Sequence, residues 1–231
     1  MIAPTYADDG FGPANTQWGN PEDFQSSPYM DFGEFNEDED EAAMTQYLQY
    51  GRFFGVSIGV GSHGATGNRG ILWSGGFPLI DFKIHYWFDF NFALQMGFQT
   101  TSHFYTRLGE RTDVNLNRIG IDLKYYFDTR DLSSAVTFAG PYLLLGGGSF
   151  SKTENNLSQD LSESDSTFGL SAGFGLEFTI NPKKVYFFFE GRYDLMSNFK
   201  DTQTTDFEES NGLTDLTGNF YTFVGGFLFT W

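Results

Sequence analysis

Hydrophobic and polar residues alternate in eight segments of the chain after residue 51. The clearest segment is 168–180, FGLSAGFGLEFTI, which has an apolar residue at every second position. Side chains of a β-strand point alternately to its two faces, so this period of two predicts a strand with one apolar face. The other seven segments are 52–62, 79–90, 91–100, 117–127, 140–150, 185–195 and 220–231. Segment 140–150 has an ambiguous phase, and we place Leu143 and Leu145 on its apolar face.

The connections between these segments alternate between short and long. Short connections are expected around 90–91, 128–134 and 181–184, and longer ones at 62–76, 102–113, 151–167 and 197–218. Eight strands of about ten residues, joined by short turns at one end and long loops at the other, are typical of outer-membrane β-barrels, whose short turns lie in the periplasm. A transmembrane helix would fit the uncharged run 132–151 by length, but Pro141 and several glycines argue against it.

Alternation does not say which face points outward, since a soluble barrel has the same period with its apolar face inside. Here the polar face is rich in Gly, as a narrow interior requires, and the apolar face is rich in Phe and Tyr near the strand ends. The sequence therefore predicts an all-β fold: an eight-stranded, antiparallel, up-and-down transmembrane β-barrel over residues 51–231. An eight-stranded interior is just filled by side chains, and Phe53, Trp87, Tyr186 and Phe188 are suited to fill it.

Residues 1–50 differ from the barrel in charge. They carry 11 of the 30 acidic residues, including NEDEDE at 36–41, and no Lys, Arg or His, while the whole chain has a net charge of −17. Such a segment cannot bury enough apolar surface to fold alone, so we expect a largely disordered periplasmic extension. Its interleaved aromatic residues suit binding to a basic periplasmic or membrane protein, whereas a flexible leader is the simpler alternative. The first seven residues are either a signal-peptide remnant or part of the mature chain. The acidic balance makes nucleic acid an unlikely partner.

The last strand resembles the C-terminal β-signal of bacterial outer-membrane proteins, an alternating pattern that finishes on an aromatic residue. The matching positions are Tyr221, Phe223, Phe227, Phe229 and Trp231. Residues 51–231 as a whole resemble the OmpA-like and OmpX-like barrels, with PYLLLGGG at 141–148 and FFEGRYDL at 188–195 similar to two strands of that superfamily. The resemblance implies a Gram-negative outer-membrane location with both barrel ends periplasmic. It also implies contact with membrane lipid and lipopolysaccharide, and insertion by the barrel-assembly machinery.

The polar face carries charges of both signs that would meet inside the barrel. Buried charges need partners, so we expect a paired polar network that fills the lumen. A gated path for ions or solutes is the alternative interpretation. The predicted network contains Asp81, Lys83, His85, Gln95, Arg118, Asp122, Lys124, Glu177, Glu190, Arg192 and Asp194, with Asp89 on the same face.

Two histidines, His63 and His103, lie near the long-loop end, each beside a serine. Some eight-stranded barrels are lipid A-modifying enzymes with His and Ser at this rim, and Glu110 could complete a Ser–His–acid set. However, Ser102 and His103 should point to opposite faces, and the His-x-Ser spacing of the deacylase family is absent. With no Cys and no cluster at metal-ligand spacing, no catalytic site, metal or cofactor is expected. The expected role is structural or partner-binding, as a scaffold or adhesion protein without an open pore; a small gated channel or a lipid A-modifying enzyme is the alternative.

Overall fold

The computed structural model describes residues 51–107, 109–127, 139–156, 161–197, 199, 212–213 and 215–231. Within these residues, eight long strands and one two-residue strand form a single antiparallel sheet. The predicted extension 1–50 and the predicted turn 128–134 lie outside the described residues. The strands are β1 (Phe54–Ala65), β2 (Ser74–Gly75), β3 (Leu79–Trp87), β4 (Phe92–Arg107), β5 (Glu110–Tyr126), β6 (Ala139–Asn156), β7 (Leu161–Asn181), β8 (Val185–Met196) and β9 (Phe220–Thr230).

The sheet closes on itself, because β1 pairs with both β3 and β9 and β4 pairs with β5. The eight-stranded up-and-down barrel is therefore confirmed. A circuit around the barrel through directly paired residues starts on β1 and returns to β1 ten residues away. The barrel therefore has a shear number of ten, which tilts its strands by about 40° from the barrel axis. That circuit runs from Gly64 through Tyr221, Tyr193, Ala172, Leu145, Leu123, Leu94 and Tyr86 to Phe54.

The outer face of the barrel carries a continuous apolar band. Exposed Ile, Leu, Val, Phe and Tyr side chains cover it, and the ambiguous strand β6 has Leu143 and Leu145 outside, as predicted. The 11 residues of β9, at about 3.3 Å each and tilted by about 40°, rise by about 25 Å, the height of a membrane-spanning band. The exposed apolar side chains of this band lie within residues 54–60, 80–87, 92–98, 119–126, 141–147, 168–180, 185–195 and 221–230, and these stretches belong to the membrane-spanning segments.

The inner face uses glycine beside large inward-pointing side chains of the same or the neighbouring strand. A Cβ atom at Gly120 would lie 2.5 Å from the guanidinium of Arg118, and one at Gly55 would lie 3.0 Å from the Trp87 ring. The glycines of the polar face thus leave the space that these large side chains occupy.

The long-loop end differs from the prediction at three connections. The expected loops at 102–113 and 151–167 are mostly strand, since β4 and β5 pair as far as Arg107 and Glu110, and β6 and β7 as far as Asn156 and Leu161. Their polar residues are compatible with strands because this part of the sheet rises beyond the apolar band. The third connection contains β2 and a short helix, α1 (Gly67–Leu72), which the sequence pattern did not predict. Among the described residues, no helix has the length and apolar character needed to cross a membrane.

Candidate functional site

The structure places all eleven residues of the predicted polar network inside the barrel, each at most 4% exposed. They come from β3, β4, β5, β7 and β8, whose inner faces converge on the lumen. Asp89 is the exception: it lies in the exposed turn after β3, where its Oδ1 accepts hydrogen bonds from the backbone N–H groups of Asn91 and Phe92. The prediction for Asp89 was wrong because the strand stops at Trp87 and the alternation stops with it.

The lower part of the network centres on Glu177. Its carboxylate lies 2.9 Å from Lys124 Nζ and 2.8 Å from an Arg52 guanidinium nitrogen, and it accepts a 2.7 Å hydrogen bond from the Tyr126 hydroxyl. Arg52 was not predicted as a lumen residue. It enters from the segment before β1 and stacks 4.5 Å from the ring centroids of Trp87 and Tyr186. Its guanidinium therefore covers the short-turn mouth of the lumen.

The middle part of the network centres on Lys83. Its Nζ lies 2.7 Å from Glu190 and 3.0 Å from Asp81, so one ammonium group serves two carboxylates. Glu190 also accepts a 2.9 Å hydrogen bond from the Tyr142 hydroxyl. Gln99 Nε2 donates to Asp81 at 2.7 Å, which links this part to the next.

Two arginines organise the upper part. Arg118 lies 2.9 Å from Asp122, and Arg192 Nε lies 3.2 Å from Asp194. Ser171 joins the two pairs, because its hydroxyl accepts from Arg118 and donates to Asp194 at 2.6 Å. Arg192 also donates to Gln99 Oε1, and Gln95 Nε2 lies 3.4 Å from Asp122.

The charges of this network balance. Its five carboxylates are matched by the four predicted cations and Arg52, and each carboxylate lies 3.2 Å or less from a cationic nitrogen. A charge in a low-dielectric interior is tolerated when it is paired and hydrogen-bonded. The arrangement therefore fills the lumen with an electrically compensated network.

Two apolar clusters pack against this network. The first runs along the lumen from Trp87 near the short turns to Leu79 at the long-loop end. It contains Leu79, Trp87, Ala93, Tyr126, Tyr142, Leu144, Phe188, Val224 and Leu228, with Phe53 and Tyr186 packed against it. The upper cluster contains Trp73, Tyr105, Val114, Leu116, Phe150, Phe199, Leu216 and Phe220. Helix α1 contributes to the upper end through Arg69, whose guanidinium lies 5.1 Å to 5.6 Å from the rings of Phe199, Trp73 and Phe220.

Between the upper cluster and the arginines lies a cavity of about 10 Å³, lined by His63, Gln99, Thr101 and Arg118 among others. This is the room that a single water molecule needs. Such a cavity can hydrate the buried arginine but does not accommodate a substrate.

The two rim histidines contact each other. His63 Nδ1 lies 2.8 Å from His103 Nε2, and the two rings pack against Phe220 and Trp73 respectively. His103 lies above the membrane-spanning segments, because it pairs with Val114 and Gly75. Burial lowers the pKa of His103 to about 4, so its imidazole is neutral at pH 7.

The Ser–His–acid set considered from the sequence does not assemble. Ser62 and Ser102 point outward and are exposed, whereas His63 and His103 point inward. His103 pairs with Val114 of β5, whereas Glu110 lies four residues further along that strand, opposite Arg107. Glu110 is therefore separated from the level of His103 by about 13 Å along the strand.

The barrel instead contains a Ser–His contact that the sequence analysis missed. Ser57 Oγ lies 2.9 Å from His85 Nε2 deep in the lumen. The other ring nitrogen, His85 Nδ1, has no hydrogen-bond partner among the described residues, so no acid orients the imidazole. Both side chains are buried, and a substrate has no room beside them. The register of β1 with β3 brings them together, and no local pattern signals it.

The described residues contain no group of three or more His, Asp or Glu side chains placed to hold a metal ion. In β9, the predicted β-signal side chains all point outward and are between 40% and 65% exposed. Recognition of this strand by the assembly machinery stays a prediction.

A polar sheet rises above the apolar band on one side of the barrel. It consists of the upper parts of β4, β5, β6 and β7, which stay paired to the ends of both hairpins. Its outer face carries small hydroxyl and amide side chains and few charges until the tips. These residues are Thr100, Ser102, Thr106, Asn115, Asn117, Ser149, Ser151, Thr153, Ser162, Ser164 and Ser166.

Comparison with known proteins agrees with this architecture. The family model described as outer membrane protein beta-barrel domain matches residues 41–225. Among solved structures, Neisserial surface protein A is similar at a TM-score of 0.56 and 15% identity, covering 77% of this chain and 97% of its own. The N-terminal β-barrel domain of Pseudomonas aeruginosa OprF is similar at a TM-score of 0.46 and 13% identity, covering 78% of this chain and 98% of its own. Yersinia pestis Ail is similar at a TM-score of 0.44 and 18% identity, covering 78% of this chain and 99% of its own. At these identities the likeness concerns the fold. A search of curated proteins finds no match.

Proposed function

Since the chain belongs to the outer membrane protein β-barrel domain family, we propose that it is a structural or partner-binding barrel of the bacterial outer membrane, with neither an open pore nor a catalytic site. One observation carries this proposal: the lumen holds a balanced network of ion pairs that packs against two apolar clusters. The groups that could conduct or catalyse are engaged with one another, so the surface that remains for function is the outer one.

The absence of a pore is supported by the cost of opening one. An ion that crosses the lumen would have to separate Lys83 from Glu190 or Arg118 from Asp122, and also displace the aromatic residues at both ends. Breaking one buried pair costs about 3–5 kcal/mol, and a steady current needs several to open together.

The polar sheet of β4–β7 is the proposed partner surface. We place it outside the cell, because outer-membrane barrels have their short turns in the periplasm and their longer connections outside. On this orientation the neutral hydroxyl and amide side chains lie at the level of the lipopolysaccharide sugars, and the hairpin tips reach further out. The two ends of the barrel then lie in the periplasm.

We also propose that residues 1–50 bind a basic periplasmic or membrane protein. The family match begins at residue 41, so most of this segment is additional to the barrel domain. Glu177 holds Arg52 at the short-turn mouth, so residue 51 follows the acidic segment at the end of the barrel that our proposed orientation assigns to the periplasm. Its 11 carboxylates, with no Lys, Arg or His among them, favour a cationic partner.

Planar-bilayer recording of the reconstituted full-length protein tests the role of the lumen. We expect no steady conductance from the wild type. A steady current that Arg192→Ala abolishes would overturn the proposal in favour of a gated channel. The mass spectrum of lipid A from cells with the wild type should equal that from cells with His103→Ala; a change in acylation that only the wild type causes would favour an enzyme.

A further inference from the structure

A groove of about 190 Å³ lies on the lipid-facing wall of the barrel, across β7, β8 and β9. It sits in the half of the apolar band nearer to the long hairpins. Its lining residues are Ala172, Gly173, Phe174, Gly191, Arg192, Tyr193, Tyr221 and Phe223.

Small outward residues on two neighbouring strands produce this groove. Ala172 on β7 and Gly191 on β8 alternate with large side chains on the same faces, and the strand tilt brings the two to within about 4 Å of one level. At that level β1, β3 and β5 carry Val60, Phe82 and Ile121 instead. The wall is therefore hollow on one side of the barrel and filled on the other.

Aromatic rings form the sides of the groove. Gly191 lies between Phe174 and Phe223 in the register, and a Cβ atom at Gly191 would come within 3.6 Å and 3.2 Å of these rings. Tyr193 and Tyr221 stand at the upper edge, where the Tyr193 hydroxyl accepts a 3.2 Å hydrogen bond from Asn219. Tyrosines at this height are suited to the boundary between hydrocarbon and headgroups.

The chemistry of the lining excludes recognition by charge. Arg192 contributes backbone atoms, because its guanidinium lies in the lumen 3.2 Å from Asp194. The other lining residues are Gly, Ala, Phe and Tyr. In the bilayer such a surface gains free energy through close packing rather than through removal of water, and its stiff walls fit an extended chain better than a kinked one.

We propose that the groove binds one saturated acyl chain of a membrane lipid in the leaflet beside the long hairpins. The floor at Gly191 lets the chain approach the sheet, the rings of Phe174 and Phe223 enclose it, and the tyrosine hydroxyls face its polar end. This site goes beyond the proposed role and requires the membrane-embedded barrel alone.

Native mass spectrometry of the full-length protein tests the site. Vesicles of saturated dimyristoyl phosphatidylethanolamine supply the lipid, and the number of lipids retained per barrel is measured as collision energy increases. We expect the wild type to retain one lipid and Ala172→Leu to lower the retained fraction by about tenfold, because the leucine removes about ten packing contacts between the chain and the groove. Gly191→Val fills the same space from the neighbouring strand and provides a second variant.

Ile121→Phe is the matched control, since Ile121 faces lipid at the same level on β5. Heat-modifiable gel migration verifies that each variant is folded. Phosphatidylglycerol with the same chains should be retained equally, and dioleoyl phosphatidylethanolamine less. The site is refuted by equal retention in all variants, by an equal loss in Ile121→Phe, or by retention that follows the headgroup. A dimer that Ala172→Leu dissociates would assign the groove to a second copy of the chain.

Discussion

Replacement of Glu177 by Gln removes the anion that two buried cations share. Lys124 Nζ and an Arg52 nitrogen lie 2.9 Å and 2.8 Å from its carboxylate, with side-chain exposures of 2% and 18%. The amide of Gln keeps the shape and one hydrogen-bond acceptor, so the change isolates the charge. Because removal of one partner from a buried pair leaves an uncompensated ion, we expect the free energy of unfolding to fall by about 3–5 kcal/mol.

Urea unfolding in phospholipid vesicles, followed by the loss of heat-modifiable gel migration, measures this change. Glu163→Gln is the matched control on the same strand, because Glu163 is exposed beyond the membrane-spanning segments, and it should alter the free energy by at most about 0.5 kcal/mol. The double variant Glu177→Gln/Lys124→Met removes one of the stranded cations and should recover part of the loss.

The reasoning fails if Glu177→Gln is as stable as Glu163→Gln, because the lumen would then be hydrated well enough to screen the lost charge. It also fails if Lys124→Met lowers the free energy of unfolding of the Glu177→Gln variant by as much as it lowers that of the wild type. Either result would support the channel alternative.

Three further predictions concern the rim, the orientation and the N-terminal segment. The folded pKa of His103, lowered by burial to about 4, lies below the unfolded value of about 6.5, so the unfolded chain binds more protons between these values. The stability contributed by the neutral His103 is thus complete above about pH 6.5 and is lost as the pH falls towards 4, by about 1.4 kcal/mol per pH unit. In urea unfolding, His63→Gln/His103→Gln should show a smaller slope in this window, and an unchanged slope would contradict the assignment. The chain has no Cys, so Ser164→Cys and Lys184→Cys introduce single thiols; an impermeant maleimide should label intact cells at residue 164 and not at 184, and the reverse result would invert the orientation. A pull-down from outer-membrane extract at low salt should recover a basic protein with the full chain but not with a chain lacking residues 1–44; identical recovery at low and high salt would rule out this binding role.

The alternation of side chains in the sequence determined the strands and their faces. It placed Tyr86 and Trp87 on opposite faces, because successive side chains of a strand point to opposite sides, and the glycine-rich polar face then identified the interior. The period also implied closure, since a strand in lipid must pair on both sides. Where alternation stops, this reasoning stops as well, as Asp89 shows by its place in a turn.

The contacts inside the barrel depended on the tertiary structure. Arg52 and Glu177 are 125 residues apart, and Ser57 and His85 meet through the register of β1 with β3. Register is set by the closure of all eight strands with a shear of ten, a property of the whole circuit that no single segment encodes. Helix α1 and the paired hairpins above the apolar band could not be predicted from the sequence for a related reason. Their polar sequences carry no apolar period, and the sheet below them, together with the upper apolar cluster, holds them in place.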